Sequence, residues 1–198
     1  LIMMGAGRAD RIFEQMEHFP IDIVGNYGMQ YATYHAETDS IKMQYNLSVS
    51  CDREKVDKIS AHFRKKYGLH EYAGESVEYH PSGCITFPIL GTKAKIEDKL
   101  AYDPDWSKRL RMFDDVKEAF SDYEAYVGGS SSFDMAPKPY NKYYALDLYC
   151  KEQEIASDAH SSAEVAVYRS ALRSVDISAL CKALYQKRDH IYRSFLHL

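Results

Sequence analysis

Gly128-Gly129-Ser130-Ser131-Ser132-Phe133-Asp134-Met135-Ala136-Pro137-Lys138-Pro139-Tyr140-Asn141-Lys142-Tyr143-Tyr144 decides how this chain is read. The segment runs from a strand over Ser131–Ala136, through a turn stiffened by Pro137 and Pro139, into a helix that starts at Asn141. Lys142 therefore falls in the first turn of that helix. A cation is poorly placed there, because the unpaired N–H groups already give the helix start a partial positive charge. Two readings stay open at this point. Lys142 is either a solvated lysine behind an Asn cap, or a cation balanced by an anion held in front of the helix.

Outward from this stretch, the first residues form a strand–helix–strand unit. Leu1–Met4 is a short apolar run of the buried parallel kind, broken by Gly5-Ala6-Gly7. Ile12, Phe13, Met16 and Phe19 make one apolar helix face, which Pro20 ends. Ile21–Val24 is a second short strand, followed by the turn Gly25-Asn26-Tyr27-Gly28. A glycine-rich turn between a strand and a helix is a natural anion cradle, with Gly5 and Ala6 as its anion-facing residues. The plainer reading is a tight turn and nothing more.

The pattern then changes. Met29–Tyr34 and Ile41–Val49 read as a hairpin around Thr38-Asp39-Ser40. Asp52 caps a helix with the stripe Val56, Ile59, Phe63 and Tyr67, which Gly68 stops. Ser76–His80 and Cys84–Pro88 are short strands. Helices follow over Thr92–Lys99 and Asp105–Phe120, with Leu110, Phe113, Val116 and Phe120 on the buried face of the second. Tyr123–Val127 pairs with Ser131–Ala136. An antiparallel sheet with helices is thus set inside an α/β framework, and the fold class expected is α/β with an inserted α+β domain. The boundaries read from the sequence are residues 1–36, 37–136 and 137–198.

Composition narrows the function classes. Twenty-five Lys and Arg against 29 Asp and Glu give a net charge of −4, which offers no basic footprint for nucleic acid. No apolar run approaches the ~20 residues that cross a bilayer. Cys51, Cys84, Cys150 and Cys181 lack paired C-x-x-C spacing, so they read as cytoplasmic thiols rather than a zinc site or a disulfide framework. His18, His35, His62, His70 and His80 show no i, i+4 metal pairing and read as surface or partly buried side chains.

Gly128, Gly129, Ser132, Phe133, Asp134, Pro137 and Lys142 fall in register with a pattern of the form G-G-x-x-S-F-D-x-x-P-x-x-x-x-K. In this the chain resembles the haloacid dehalogenase superfamily, in its branch with a large α/β cap that holds the Cof-type phosphatases and eukaryotic phosphomannomutases. The resemblance implies an incomplete Rossmann-like core with an inserted cap, and covers about residues 1–150. It makes Lys142 the lysine that steadies a nucleophilic aspartate and the transferred phosphoryl group. It also puts Ser132 and Asp134 on the substrate-facing side of the cap. Phe87-Pro88-Ile89-Leu90-Gly91-Thr92-Lys93 resembles the family's S-P-I-G-R segment, with Thr92 where the Arg falls and Lys93 next along. Lys93 is then a candidate for the substrate anion, beside the reading of a solvated lysine in a charged helix face.

The family's chemistry is attack by Asp on phosphorus, an aspartyl-phosphate intermediate, and Mg²⁺ with Lys142 neutralising charge. Its D-x-D pair is expected upstream of Leu1, where the chain opens inside a strand. The only D-x-D present, Asp103-Pro104-Asp105, reads as a turn and helix cap. The second motif carries Met4 where a Ser or Thr is expected. All ten glycines lie at or before Gly129 and the last proline is Pro139, so the Gly-rich acidic loop that completes the Mg²⁺ site has no counterpart after Lys142. From about residue 152 the family pattern stops, read as a frame-shifted or divergent tail. There Glu164–Tyr168 suggests a strand, and Ile177, Leu180 and Leu184 suggest a helix. The expected function is a phosphohydrolase acting on a small phosphorylated metabolite such as a sugar phosphate, with this chain catalytically incomplete. The alternatives are a phosphomannomutase-like phosphomutase and a non-catalytic binding protein.

Overall fold

The computed structural model describes residues 2–152. The strand and helix expected around Glu164–Tyr168 and Ile177–Leu184, and Cys181, lie outside the described residues. The fold is mixed α/β, with two four-stranded sheets and five α-helices among the described residues. Its described residues divide into two compact units, one built from residues 2–46 and 142–152, the other from Leu47–Asn141.

The first unit begins with β1 (Ile2–Met4), α1 (Ala9–Gln15) and β2 (Asp22–Gly25), with β1 and β2 parallel. A 3₁₀ turn over Asn26–Gly28 reverses the chain into β3 (Gln30–His35), and β4 (Ser40–Asn46) completes an antiparallel meander in the order β1-β2-β3-β4. The two sides of this sheet are covered differently. Ala9, Ile12, Phe13 and Met16 of the α1 segment pack with Ile23 and Ala32. On the other side Ala145 of α5 (Lys142–Glu152) packs with Val24 and Tyr31, beside Met4, Tyr45 and Tyr149.

The approach of α5 to the sheet is set by Gly28. Its φ of +94° is open to glycine at little cost, and a Cβ there would lie 2.6 Å from the Cβ of Ala145. Two small residues thus let the helix sit directly on the 3₁₀ turn. The meander also explains why the division falls after Asn46 and not after residue 36. β4 is hydrogen-bonded along its length to β3, so the whole hairpin stays with the first sheet.

The second unit starts with α2 (Arg53–Tyr67), where the Asp52 carboxylate accepts from the Lys55 N–H at 3.0 Å and Gly68 closes the end in a left-handed conformation. β5 (Glu78–Tyr79), β6 (Ile85–Pro88), α3 (Ile96–Tyr102), α4 (Ser107–Ala119), β7 (Tyr123–Gly128) and β8 (Ser132–Pro137) follow. The sheet is antiparallel in the order β5-β6-β8-β7. Val56 and Phe63 of α2 and Met112 and Val116 of α4 bury one sheet face, packing on Ile85, Phe87, Ala125, Phe133 and Met135.

Two helices depart from the sequence reading. The first starts at Ile96 rather than Thr92, because the N–H groups of Thr92 and Lys93 are drawn to the carbonyls of Glu75 and Ala73. In the second, Leu110 is 55% exposed while Arg109 is fully buried. The Asp103 carboxylate accepts from the N–H groups of Lys108 and Arg109, so this aspartate rotates the helix start and takes Arg109 inside. No helix of the described residues is long and apolar enough to cross a membrane.

Candidate functional site

Alternation along β8 sends Phe133 and Met135 into the helix-covered core and leaves Ser132 and Asp134 on the opposite face. The register then builds a row across four strands. Glu78 pairs with Thr86, Thr86 with Asp134, and Asp134 with Tyr126. The row is joined chemically at its centre. Thr86 Oγ1 donates to Asp134 Oδ1 at 3.0 Å, and the same Thr86 oxygen lies 3.2 Å from His80 Nε2. Ser132 Oγ lies 3.5 Å from Asp134 Oδ1 and donates to the Gly128 carbonyl at 3.0 Å.

Gly128 is the neighbour on the far side. A Cβ there would run into the Asp134 carboxylate, so glycine is what allows the acid to lie flat against β7. Burial pushes the Asp134 carboxyl above its ordinary value, and the Glu78 charge acts in the same direction. The hydrogen bonds from Thr86 and Ser132 and the nearby His80 oppose the rise without cancelling it. An acid in this setting alternates between acceptor and donor at a higher pH than a solvated carboxylate does.

The Gly128–Ser132 turn that carries these groups is held from beneath. Arg109 donates through one guanidinium nitrogen to the carbonyls of Gly128, Gly129 and Ser132 at 2.6, 3.1 and 3.3 Å. Its Nε donates to Asp103 Oδ2 at 2.7 Å, and neither side chain is exposed. The sequence reading of Asp103-Pro104-Asp105 as turn and cap thus describes the backbone role of Asp103 but omits its ion pair. Arg64 does similar work one strand away, donating to the carbonyls of Pro88 and Ile89 at 2.8 and 2.9 Å.

The other residues singled out from the sequence lie elsewhere. Lys93 is exposed, in the turn before α3, and no hydrogen bond or ion pair joins it to Ser132 or Asp134 among the described residues. Lys142 is the first residue of α5 in the other unit and is exposed. Gly5 lies in the turn between β1 and α1. Its N–H already donates to Val24 O at 2.9 Å, and the Ala9 N–H that opens α1 donates to Gln30 Oε1 at 2.9 Å. Ala6 is exposed beside it. Among the described residues no group of three or more His, Cys, Asp or Glu is placed to hold a metal ion.

Thr86, Glu78, Tyr126 and Arg109 have no place in the sequence reading, which gives Asp103 only as a turn and cap. Alternation within Cys84–Pro88 identifies the face of Thr86, but the register that brings it to Asp134 has no local signal. In sequence His80 reads as a surface or partly buried side chain, and only the β5–β6 pairing carries it to Thr86.

No protein-family model and no curated protein matches the chain. Among solved structures it is similar to SMU.1108c from Streptococcus mutans UA159, with a TM-score of 0.47 and 14% identity over 79% of this chain. The chain spans 64% of the length of that structure.

Proposed function

We propose that this chain is of the haloacid dehalogenase type, with a Rossmann-like core and an inserted α/β cap. On this reading the helix-free face of the second sheet reads the hydroxyl groups of a small phosphorylated metabolite of the sugar-phosphate class. The observation that carries the reading is the row Glu78–Thr86–Asp134–Tyr126 with Ser132 beside it, a set of donors and acceptors converging on one half-buried carboxylate. Hydroxyl recognition needs such a group, because a carboxylate accepts from two hydroxyls while Ser and Thr both donate and accept. The insertion of Leu47–Asn141 between two parts of the first unit fits a cap placed between core motifs. Lys142, at the start of its helix, is the cation for the phosphoryl group in this reading. The free thiols Cys51, Cys84 and Cys150 fit a cytoplasmic setting.

In the family the phosphoryl group passes through an aspartyl-phosphate with Mg²⁺ supplying charge neutralisation. The residues described here contribute binding and orientation. The test is titration of the full chain with mannose 6-phosphate, mannose and inorganic phosphate, followed by amide NMR. Mannose 6-phosphate should shift Thr86, Ser132 and Asp134, and Asp134→Ala should weaken its binding by about tenfold or more, the usual loss for a hydrogen bond to a charged group. The absence of any shift at these residues at millimolar sugar phosphate would sink the reading.

A further inference from the structure

The geometry points to a proton relay, His80–Thr86–Asp134, that lets Asp134 exchange its proton with solvent through the imidazole and so act as donor or acceptor toward a ligand hydroxyl. The Thr86 hydroxyl carries a single proton. A threonine hydroxyl donates once, and here it donates to Asp134 Oδ1 at 3.0 Å. Toward His80 Nε2, at 3.2 Å, the same oxygen is therefore the acceptor, and Nε2 carries a proton. The ionised acid thus selects the Nε2–H form of a histidine one strand further away.

The step balances without any further reagent. His80 takes a proton from hydronium in the solvent at Nδ1, leaving water. The Nε2–H bond then breaks as a new Thr86 O–H forms, the original Thr86 O–H breaks, and its proton joins Asp134 Oδ1. His80 is left neutral with its proton on Nδ1, Thr86 now donates to Nε2, and Asp134 donates to Thr86. One proton has crossed from imidazolium to carboxylate, and the hydrogen bonds have reversed direction.

The setting suits this exchange. His80 is half-buried, and its backbone is fixed by the β5–β6 turn, where its N–H donates to Cys84 O at 3.0 Å and its carbonyl accepts from Gly83 at 2.9 Å. The groups facing Asp134 are Glu78 and His80 from the β5 side, Thr86 from β6 and Cys84 just before it, Tyr126 from β7 and Ser132 on its own strand. Among them His80 is the base joined to Asp134 through a hydroxyl. The Glu78 charge adds to the effect of burial in holding the proton on the acid.

The use of the relay rests on the hydroxyl-binding reading above, but its existence is read in the ligand-free chain. The experiment follows the ¹⁵N shifts of His80 and the carboxyl ¹³C shift of Asp134 across pH in the full chain. In wild type each nucleus should show a second step at the midpoint of the other, with Nε2–H favoured once Asp134 is ionised. Thr86→Val should abolish both second steps, and Thr86→Ser, which keeps the hydroxyl, should retain them. Asp134→Asn should remove the Nε2–H preference. Independent single-step titrations in wild type, or coupling that survives Thr86→Val, overturn the relay. If Thr86→Val fails to fold, the Thr86→Ser and Asp134→Asn pair decides the matter. A failed sugar-phosphate titration leaves the relay standing, and a failed relay leaves hydroxyl binding standing.

Discussion

Arg109 Nε lies 2.7 Å from Asp103 Oδ2, with both side chains sealed from solvent, and the same guanidinium carries the carbonyls of the Gly128–Ser132 turn. Charge and turn geometry are therefore one structural unit. Removing either partner leaves an uncompensated buried charge, which costs about 3–5 kcal/mol. Asp103→Ala and Arg109→Met should each lower the unfolding free energy by about that amount in urea denaturation followed by circular dichroism. Arg109→Lys should lose most of the same stability, because one ammonium does not span three carbonyls and a carboxylate.

The same pair predicts an acid dependence. Burial alone would raise the Asp103 carboxyl, but Arg109 and the N–H groups of Lys108 and Arg109 outweigh it and hold it below its ordinary value. A depressed folded-state pKa means that the stabilisation is present above the unfolded carboxylate pKa and is lost as pH falls through the folded one. Wild type should lose this contribution in acid. An Asp103→Asn chain should show a flatter stability curve below about pH 4, the ordinary carboxylate range.

Asp134 has the opposite sign. Its carboxyl is raised, chiefly by burial, so the ionised form is the one the fold disfavours. The stability it contributes is present at low pH and is lost as pH rises through the folded pKa. Asp134→Asn should therefore gain stability relative to wild type as pH is raised, with the advantage vanishing in acid. Glu78→Gln should lower the Asp134 midpoint by removing a like charge, read by carboxyl ¹³C NMR.

Gly28 and Ala145 make a second close approach with a measurable consequence. Gly28→Ala brings a Cβ to 2.6 Å from that of Ala145 and places a side chain at a φ of +94°. A loss of about 1–3 kcal/mol is expected, the usual range for overpacking. Hydrogen exchange should locate the loss in α5. Adding Ala145→Gly should recover the steric part and leave the backbone strain.

Arg64 is buried without a carboxylate. Its five N–H bonds go to the Ser76 hydroxyl and to the carbonyls of Leu69, Ser76, Pro88 and Ile89. Arg64→Met should destabilise by several kcal/mol, since each stranded carbonyl costs about 1–3 kcal/mol. Protection should be lost first around Phe87–Gly91, measured by hydrogen exchange.

Local chemistry was enough for most of the elements. The stripe Val56–Phe63 with Asp52 before it and Gly68 after it specifies α2, and the turn residues between Tyr123–Val127 and Ser131–Ala136 specify a hairpin, because caps and periodicity act within a few residues. The face of Ser132 and Asp134 was legible for the same reason, since alternation is a property of one strand. What surrounds that face was not. Thr86 reaches Asp134 across 48 residues of chain and His80 reaches Thr86 across 6, both through strand register, and register is a property of pairs of strands. Leu110 marks the same limit in a helix. Periodicity placed it inside, whereas an ion pair to Asp103 turned the helix and put Arg109 there instead. Most helices and strands are thus legible along the chain, because their signals are local. The polar groups they bring together are not, because buried charges choose their partners across the fold.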